Sequence, residues 1–223
     1  MSDAPVTSEQ RAGHWDSVYG ERGADSVSWY QAVPTVSLEL IEALGIAHDA
    51  AVVDVGGGAS SLAGCLVELG FSDVTVLDIS GSALEEGRRR LGDDVPVCRL
   101  HEDLLAWRPA RRYDLWHDRA VFHFLVSEED RGRYVRTLRS AVRPGGAVLL
   151  ATFAPDGPDH CSGLPVSRYS AEDLARVLGE TFEPVETRRE EHITPQGVRQ
   201  PFTWLAGRIR PDPAADTTRE PAQ

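Results

Sequence analysis

Short apolar runs alternate with helical patterns along most of the chain. The first run, Ala51–Val55, is long enough for a buried strand and ends in glycines. Similar runs predict four more strands, at Val74–Leu77, Val95–Leu100, Tyr113–Asp118 and Ala147–Phe153. Helical patterns lie between them, at Ser60–Gly70, Gly81–Leu91 and Glu128–Val142. Strands that alternate with helices indicate an α/β fold with a doubly wound, mostly parallel sheet.

The C-terminal part of the chain has a different pattern. Ser170–Leu178 begins with a capping signal and predicts a helix. Val185–His192 and Phe202–Arg210 predict an antiparallel pair of strands around Pro195-Gln196-Gly197. The sequence therefore predicts seven strands in one sheet, with an antiparallel C-terminal edge.

Length and composition suit one domain. The chain has 223 residues, of which 41% are hydrophobic and 26% are charged. We expect the domain at 11–210, with a helical segment at 11–48, and disordered tails at 1–10 and 211–223, which are rich in polar residues and proline. The N-terminus has no apolar export signal and no apolar run is long enough to span a membrane, which predicts a cytoplasmic protein.

Charge and side-chain inventory exclude several classes of function. The net charge of −12 argues against nucleic acid and anionic membrane as partners, because both are polyanions. Every basic residue is Arg, so the lysines that P-loop NTPases, protein kinases and pyridoxal-phosphate enzymes need are absent. The three cysteines are far apart and have no metal-ligand spacing, so no metal is predicted.

The loop after the first predicted strand contains the candidate ligand-binding chemistry. In a doubly wound sheet, ligands bind beyond the carboxyl ends of the strands. Here Asp54 comes two residues before the run Gly56-Gly57-Gly58, where glycines permit a sharp turn and a close approach. A carboxylate at this position would repel a pyrophosphate but would suit a cation. S-adenosylmethionine has a sulfonium and an ammonium and no phosphate, so the charge pattern favours it over NAD.

Two more acids follow the next two predicted strands. Asp78 lies 24 residues after Asp54, at a distance typical of an acid that accepts hydrogen bonds from ribose hydroxyls. Asp103 follows the third strand, where its carboxylate could accept the exocyclic amine of adenine or could instead cap a helix. Acids at the ends of three consecutive strands are more specific than a glycine loop alone.

This pattern resembles the class I (Rossmann-like) S-adenosylmethionine-dependent methyltransferases from about His14 to Arg210, including the turn Arg143-Pro144-Gly145-Gly146 before the fifth strand. The resemblance implies that S-adenosylmethionine is the cofactor and S-adenosylhomocysteine the product. Residue by residue, the motifs of the family that hold the cofactor match Asp54, Gly56, Gly58, Asp78 and Asp103. We also expect the following residues at the cofactor: Trp15, Tyr19, Trp29, Gly57, Ser60, Ser61, Ile79, Leu104 and His117.

Two narrower resemblances suggest different methyl acceptors. The motif His14-Trp15-Asp16-x-x-Tyr19 and the later Ser28-Trp29-Tyr30 are similar to the N-terminal segment of elongation-factor lysine methyltransferases. The run Asp118-Arg119-Ala120-Val121-Phe122 resembles a segment of thiopurine S-methyltransferase-like enzymes. The aromatic residues of the N-terminal segment predict a lid over the cofactor or, alternatively, a helix that packs on the sheet edge.

Candidate catalytic residues lie after the fourth predicted strand. Asp118, His117 and His123 could each serve as a general base. Alternatively, Asp118 and Arg119 pair with each other or with the N-terminal segment. On the acceptor side we expect Tyr30, Arg119, His160, Cys161 and Tyr169.

The leading hypothesis is transfer of a methyl group to an O, N or S nucleophile of a small molecule. The alternatives are a protein side-chain (lysine-type) methyltransferase, a nicotinamide-dependent oxidoreductase and a non-catalytic cofactor-binding protein. We expect a monomer or a weak homodimer.

Overall fold

The computed structural model describes residues 7–22 and 25–211, and a seven-stranded sheet forms its centre. The strands are β1 (Ala51–Val55), β2 (Asp73–Asp78), β3 (Val97–His101), β4 (Tyr113–Arg119), β5 (Val142–Phe153), β6 (His160–Cys161), β7 (Leu164–Pro165), β8 (Phe182–Ile193) and β9 (Arg199–Ile209). The sheet has the order β3-β2-β1-β4-β5-β9-β8, and β6 and β7 form a separate hairpin. Strands β1 to β5 are parallel, whereas β9 is antiparallel to both neighbours.

Helices occur between the strands and at the N-terminal side. They are α1 (Ser8–Arg22), α2 (Thr35–Ala43), α3 (Leu62–Glu68), α4 (Gly81–Leu91), α5 (Glu128–Ala141) and α6 (Ala171–Leu178). Serine side chains accept backbone N–H groups at the start of the last three, from Ser80, Ser127 and Ser170. Among the helices of the described ranges, none has the length and apolar character needed to cross a membrane.

Two hydrophobic cores lie on opposite faces of the sheet. Alternate residues of β5 supply both, because successive side chains of a strand point to opposite faces. Leu149 joins the core that contains Leu40 and Leu66, while Leu150 joins the core that contains Tyr134. The sheet is therefore covered on one face by α2, α3 and α4 and on the other by α5 and α6.

The predicted fold class is confirmed, and so are the antiparallel C-terminal edge and the cap at Ser170. The prediction that the turn Arg143–Gly146 comes before the fifth strand is wrong. β5 already begins at Val142, and the four residues form an irregularity in its pairing with β4, with Gly145 at φ +79°. The hairpin of β6 and β7 was not predicted, since its strands have only two residues each.

The expected N-terminal tail at 1–10 is too long, because α1 begins at Ser8. The predicted helical segment 11–48 contains most of α1 and all of α2. Residues 1–6 and 212–223, which make up most of the two expected tails, lie outside the described residues.

Candidate active site

The glycine loop after β1 brings backbone close to two carboxylates. A Cβ atom on Gly57 would overlap Oδ2 of Asp54, and one on Gly58 would lie 2.7 Å from Oδ2 of Asp78. Such a loop accepts only residues without a side chain, because no real Cβ tolerates these contacts. The glycines therefore allow the backbone to pack directly on the acids at the ends of β1 and β2.

Asp54 belongs to a buried chain of polar side chains under this loop. Its Oδ1 lies 2.7 Å from Nδ1 of His117, and Nε2 of His117 lies 3.0 Å from Oγ of Ser37. All three residues are buried. Within the described residues, Oδ2 of Asp54 has no hydrogen-bond partner. An unpaired buried carboxylate oxygen is costly unless a ligand supplies a donor, so this atom indicates a place for a cationic or N–H group.

His117 is thus a support for Asp54. Its two ring nitrogens contact Asp54 and Ser37, so neither is available to a methyl acceptor. The prediction of His117 as a general base is therefore wrong for this arrangement, while its position beside the glycine loop agrees with the cofactor-side prediction.

Asp78 holds the other side of the loop. Its Oδ2 accepts the N–H of Gly58 at 2.9 Å, and its Oδ1 accepts the N–H of Ser80 at 2.8 Å. Burial raises the pKa of Asp78 to about 6, even though these backbone donors favour the ionised form. Each carboxylate oxygen has a second lone pair, so Asp78 can still accept hydroxyl groups from a ligand.

Both carboxylate oxygens of Asp103 accept hydrogen bonds from the protein. Oδ1 accepts the N–H of Leu105 at 2.9 Å, and Oδ2 accepts Nη2 of Arg11 at 2.6 Å. Burial alone would raise the pKa of Asp103, but hydrogen bonds from Arg11, Ser8 and Leu105 outweigh it and lower the pKa. The Leu105 contact is a local turn bond, and the Arg11 contact ties α1 to the end of β3.

A cavity of about 860 Å³, including its open mouth, extends across the carboxyl ends of the strands. We call it the main cavity. Its lining includes eight residues predicted for the cofactor, namely Trp15, Tyr19, Trp29, Gly56, Asp78, Ile79, Asp103 and Leu104. Since the sheet order is β3-β2-β1-β4, one end of the cavity lies at β3 and the other, which we call the β4 end, is bounded by Trp29, Arg119, Phe124 and Cys161.

A smaller cavity of about 560 Å³ lies under the glycine loop. We call it the glycine-loop cavity. Its lining includes other predicted residues, namely Tyr30, Asp54, Gly57, Ser60, Ser61 and His117. Tyr19, Trp29, Gly56 and Arg119 line both cavities, so the two spaces are neighbours. Gly58 lines neither and contributes through its bond to Asp78.

Helix α1 forms one wall of the main cavity. Arg11, Trp15 and Tyr19 are spaced four residues apart, so they share one helix face, and all three line the cavity. Oδ1 of Asp16 accepts Oγ of Ser80 at 2.7 Å and the N–H of Ser82 at 3.1 Å, which fixes the helix on the start of α4. This placement agrees with the predicted lid and places α1 against α4 instead of the sheet edge.

Arg119 lies at the β4 end and is almost completely buried, with 9% of its side chain exposed. Its Nη1 donates to the carbonyl of Trp29 at 3.0 Å, and its guanidinium lies 4.5 Å from the ring centre of Phe202. Burial lowers the pKa of Arg119, although the charge of Glu190 opposes this. The contact with Trp29 agrees with the alternative that Arg119 binds the N-terminal segment.

Asp118 is not in either cavity, so the prediction that it acts as a general base is wrong. It alternates with His117 and Arg119 along β4 and therefore points to the opposite face of the sheet. There it is fully buried and accepts the N–H of Val121 at 2.9 Å and the hydroxyl of Tyr134 at 2.7 Å. Asp118 shapes the loop after β4.

Three other predicted residues lie outside the two cavities. His123 is fully buried, and burial together with the Arg119 charge lowers its pKa to about 3, so it cannot accept a proton from substrate at neutral pH. The ring of Tyr169 packs on Phe122, with 5.4 Å between ring centres. His160 is exposed and pairs with Asp159. These three assignments are corrected, since loop residues have no periodicity that fixes their direction.

Cys161 does line the main cavity, as predicted. Burial raises the pKa of its thiol to about 11, so the thiol is protonated at neutral pH. Tyr19 also has a pKa raised above its ordinary value by burial, and it accepts Nε1 of Trp29 at 3.3 Å. No group of three or more His, Cys, Asp or Glu residues in the described ranges is arranged to hold a metal ion.

Several residues of the site were not predicted. Arg11 could have been found by extending the four-residue spacing of Trp15 and Tyr19 by one step. Ser37 and Glu190 carry no local signal, because they reach the site from α2 and from the distant edge strand β8. Phe124 and Leu125 line the main cavity from the loop after β4, where apolar residues are indistinguishable from core residues in the sequence.

Parts of this chain are similar in sequence to known proteins. A family model described as "Methyltransferase domain" matches residues 53–148, which include the end of β1, the glycine loop and β2 to β4. A malonyl-[acyl-carrier protein] O-methyltransferase of Ilyobacter polytropus is 28% identical over 53% of this chain, and the match spans about half (49%) of that relative's length. Thiocyanate methyltransferase 1 of Brassica oleracea is 26% identical, and the match covers 90% of this chain and 87% of that protein.

The fold is also found in solved structures. The 1,6-didemethyltoxoflavin-N1-methyltransferase of Burkholderia thailandensis, solved with S-adenosylhomocysteine, has a TM-score of 0.66 at 20% identity, with 94% of both chains covered. The likeness to this structure shows that the chain has the fold of S-adenosylmethionine-dependent methyltransferases, and the sheet order, the glycine loop and the match to the methyltransferase domain model agree with it.

Proposed function

We propose that this protein transfers a methyl group from S-adenosylmethionine to an O, N or S nucleophile of a small molecule. The observation that carries the proposal is the unpaired Oδ2 of Asp54, a residue that lines the glycine-loop cavity. A buried carboxylate oxygen without a donor fits the ammonium group of this cofactor and does not fit a pyrophosphate, so NAD remains disfavoured.

The chain offers contacts for the ammonium, the ribose hydroxyls and the adenine of the cofactor. Asp54 would hold the ammonium, and the contact with His117 would orient the carboxylate of Asp54. Asp78 would accept the ribose hydroxyls, since its carboxylate lines the main cavity and is already oriented by Gly58 and Ser80. Ile79 and Leu104 give apolar contacts for the adenine, with Asp103 at its edge.

The reacting end would lie between these groups and the β4 end. When bound, S-adenosylmethionine supplies a methyl carbon whose bond to sulfur breaks, leaving the electron pair on sulfur, as the lone pair of the acceptor forms the new bond. Trp15, Trp29 and Phe124 enclose this region with their rings, with Trp15 4.9 Å from Phe124 and 5.7 Å from Trp29 between ring centres. Aromatic faces stabilise a nearby cation and exclude water, and the remaining requirement is alignment.

A small acceptor agrees with the relatives better than a protein side chain does. The names of the Brassica and Burkholderia proteins describe methylation of thiocyanate and of a toxoflavin precursor. Arg119 and Cys161 line the main cavity at its β4 end. A cytoplasmic location and a monomer or weak homodimer remain predictions from the sequence.

Labelled cofactor tests the proposal. The protein is incubated with methyl-labelled S-adenosylmethionine and an extract of its source organism, and the label is then separated into precipitable and small-molecule fractions. We expect label in the small-molecule fraction. Label in the precipitate would instead support the protein side-chain alternative.

Two variants serve as controls. Asp54→Ala should abolish the labelling and weaken S-adenosylhomocysteine binding, whereas Asp49→Ala, which changes an exposed acid before β1, should do neither. Tight binding without transfer to any fraction would support a non-catalytic cofactor-binding protein. Absence of S-adenosylhomocysteine binding by the wild type would refute the cofactor assignment.

A further inference from the structure

The β4 end of the main cavity contains a positive charge with unused hydrogen-bond donors. Nε and Nη2 of Arg119 are buried and have no hydrogen-bond partner among the described residues. An unpaired buried N–H of a charged group is more costly than that of a neutral one. Because Arg119 lines both cavities, a ligand that enters them is in a position to supply the missing acceptors.

The nearest acid does not satisfy these donors. Oε1 of Glu190 lies 3.7 Å from Nη2 of Arg119, beyond hydrogen-bond distance. Glu190 is held by other donors, since Oε1 accepts Nε2 of Gln31 at 2.7 Å and Oε2 accepts Nε1 of Trp204 at 2.8 Å. Glu190 therefore forms an ion pair with Arg119 and leaves Nε and Nη2 of Arg119 without a hydrogen bond.

Among the described residues, none of those that line this end of the cavity could take a proton from an acceptor. Cys161 and Tyr19 are protonated at neutral pH, because burial raises the pKa of both. Arg119 is a cation, and Asp118 and His123 do not line the cavity. An acceptor that needs deprotonation would find no base, whereas an acceptor that is already an anion has a free lone pair and needs none.

We propose that the methyl acceptor is a small singly charged anion, such as a thiolate, a carboxylate or a pseudohalide, that Arg119 holds at the β4 end. This inference rests on the proposed function and specifies its substrate class. The charges also balance, because Arg119 and Glu190 cancel and the sulfonium of the cofactor is opposed by the anion. Transfer then joins two opposite charges into neutral products and releases no proton, which a dry site favours.

Binding of a simple anion to the protein in the presence of saturating S-adenosylhomocysteine tests this inference. The probe is thiocyanate, and the matched neutral probe is acetonitrile, a linear molecule of similar length. Isothermal titration calorimetry at constant ionic strength measures both. We expect saturable binding of thiocyanate at one site and at least about tenfold weaker binding of acetonitrile, the difference typical of a charge-assisted hydrogen bond.

Two variants locate the anion. Arg119→Gln should weaken thiocyanate binding at least about tenfold, as expected for loss of a charged donor. Arg189→Gln, which changes an exposed arginine that pairs with Asp156 on the surface, should leave it unchanged. Both variants should retain wild-type affinity for S-adenosylhomocysteine, which also shows that they are folded.

The outcomes separate the two proposals. If S-adenosylhomocysteine binds but thiocyanate does not, the anion inference is wrong and the proposed function stands. The same conclusion follows if thiocyanate binds no better than acetonitrile. Equal thiocyanate affinity of wild type and Arg119→Gln also refutes it. If Arg119→Gln does not fold, the comparison of the two probes on the wild type still decides. If the wild type binds no S-adenosylhomocysteine, both proposals fall.

Discussion

Two buried carboxylates at neighbouring strand ends differ in what their oxygens already contact. Asp54 has one oxygen on His117 and one without a partner, while Asp78 has a backbone N–H on each oxygen. Asp54 is therefore suited to a charged donor that fully occupies one oxygen. Asp78 is suited to neutral hydroxyls that share its remaining lone pairs. The difference is set by single hydrogen bonds, which no sequence pattern reports.

Replacing Asp78 tests its contribution to cofactor binding. We expect Asp78→Ala to weaken S-adenosylhomocysteine binding by roughly 1.5–3 kcal/mol, the range for hydrogen bonds to a charged group. Calorimetric titration measures the loss. Asp73→Ala provides the control, because Asp73 lies at the opposite end of the same strand and pairs with Arg111. Equal affinities for both variants would remove Asp78 from the site.

Cofactor binding should also depend on pH through Asp78. Burial raises the pKa of this carboxyl to about 6, so it becomes protonated as the pH falls from 7.5 to 5.5. Ribose hydroxyls donate to the ionised form, and affinity should therefore decrease as the pH falls through about 6. Titrations at several pH values would show this decrease in the wild type and its loss in Asp78→Ala. The same decrease in both proteins would assign it to another group.

At the level of elements, the contact between α4 and the glycine loop depends on a residue that has no role in ligand binding. Gly87 faces the loop from within α4, and a Cβ atom there would overlap the carbonyl oxygen of Gly58. The helix can approach the loop only because this position has no side chain. Helix packing and cofactor geometry are therefore linked through one backbone contact.

Two glycine substitutions in helices should have opposite effects. Gly87→Ala should lower the free energy of unfolding by about 1–3 kcal/mol through overpacking. Gly132→Ala in α5 should raise it by about 0.5–1 kcal/mol, because alanine is the better helix former and its Cβ would have only Arg136 at 3.4 Å. Urea denaturation measures both. A stabilising Gly87→Ala would mean that α4 can move away from the loop freely.

The elements were predictable where periodicity is strong. The run Ala51–Val55 and the helix Gly81–Leu91 agree with the structure residue by residue, because a buried strand and a capped helix each have a distinct pattern. Site residues at strand ends were predictable for the same reason. The directions in which the side chains of Asp118 and His123 point were not predictable. The direction of Asp118 depends on which face of β4 each residue occupies, and that of His123 depends on the conformation of the loop after β4. Glu190 reaches the site by tertiary packing alone.

At the level of the whole molecule, buried carboxyl groups and buried histidines have opposite effects on the free energy of unfolding as the pH falls. Burial raises the pKa of Asp78 and Asp118 to about 6 in the folded protein. Each therefore adds stability as the pH falls through about 6, and this gain is complete below the ordinary carboxyl pKa. Burial lowers the pKa of His123 to about 3 and that of His192 below its ordinary value, so both remove stability as the pH falls below the ordinary histidine pKa.

Asp118→Asn isolates one of these contributions. The variant lacks the carboxyl that gains a proton, so the melting temperature of the wild type should rise relative to that of the variant between pH 7.5 and pH 5.5. Thermal unfolding of both proteins at the two pH values measures the change. Because Asp118 lies outside the cavities, cofactor affinity at pH 7.5 should be unaffected. A constant difference in melting temperature would show that Asp118 is ionised throughout.

Helix α1 has a kinetic consequence. Near its start Arg11 donates to Asp103, which lines the main cavity, and near its middle Asp16 accepts the hydroxyl of Ser80. Spent and fresh cofactor would exchange beneath this helix, so each exchange requires these contacts to break and re-form. The frequency of that opening sets a ceiling on turnover, and solvent viscosity would slow a reaction limited in this way while leaving the methyl-transfer step itself unchanged.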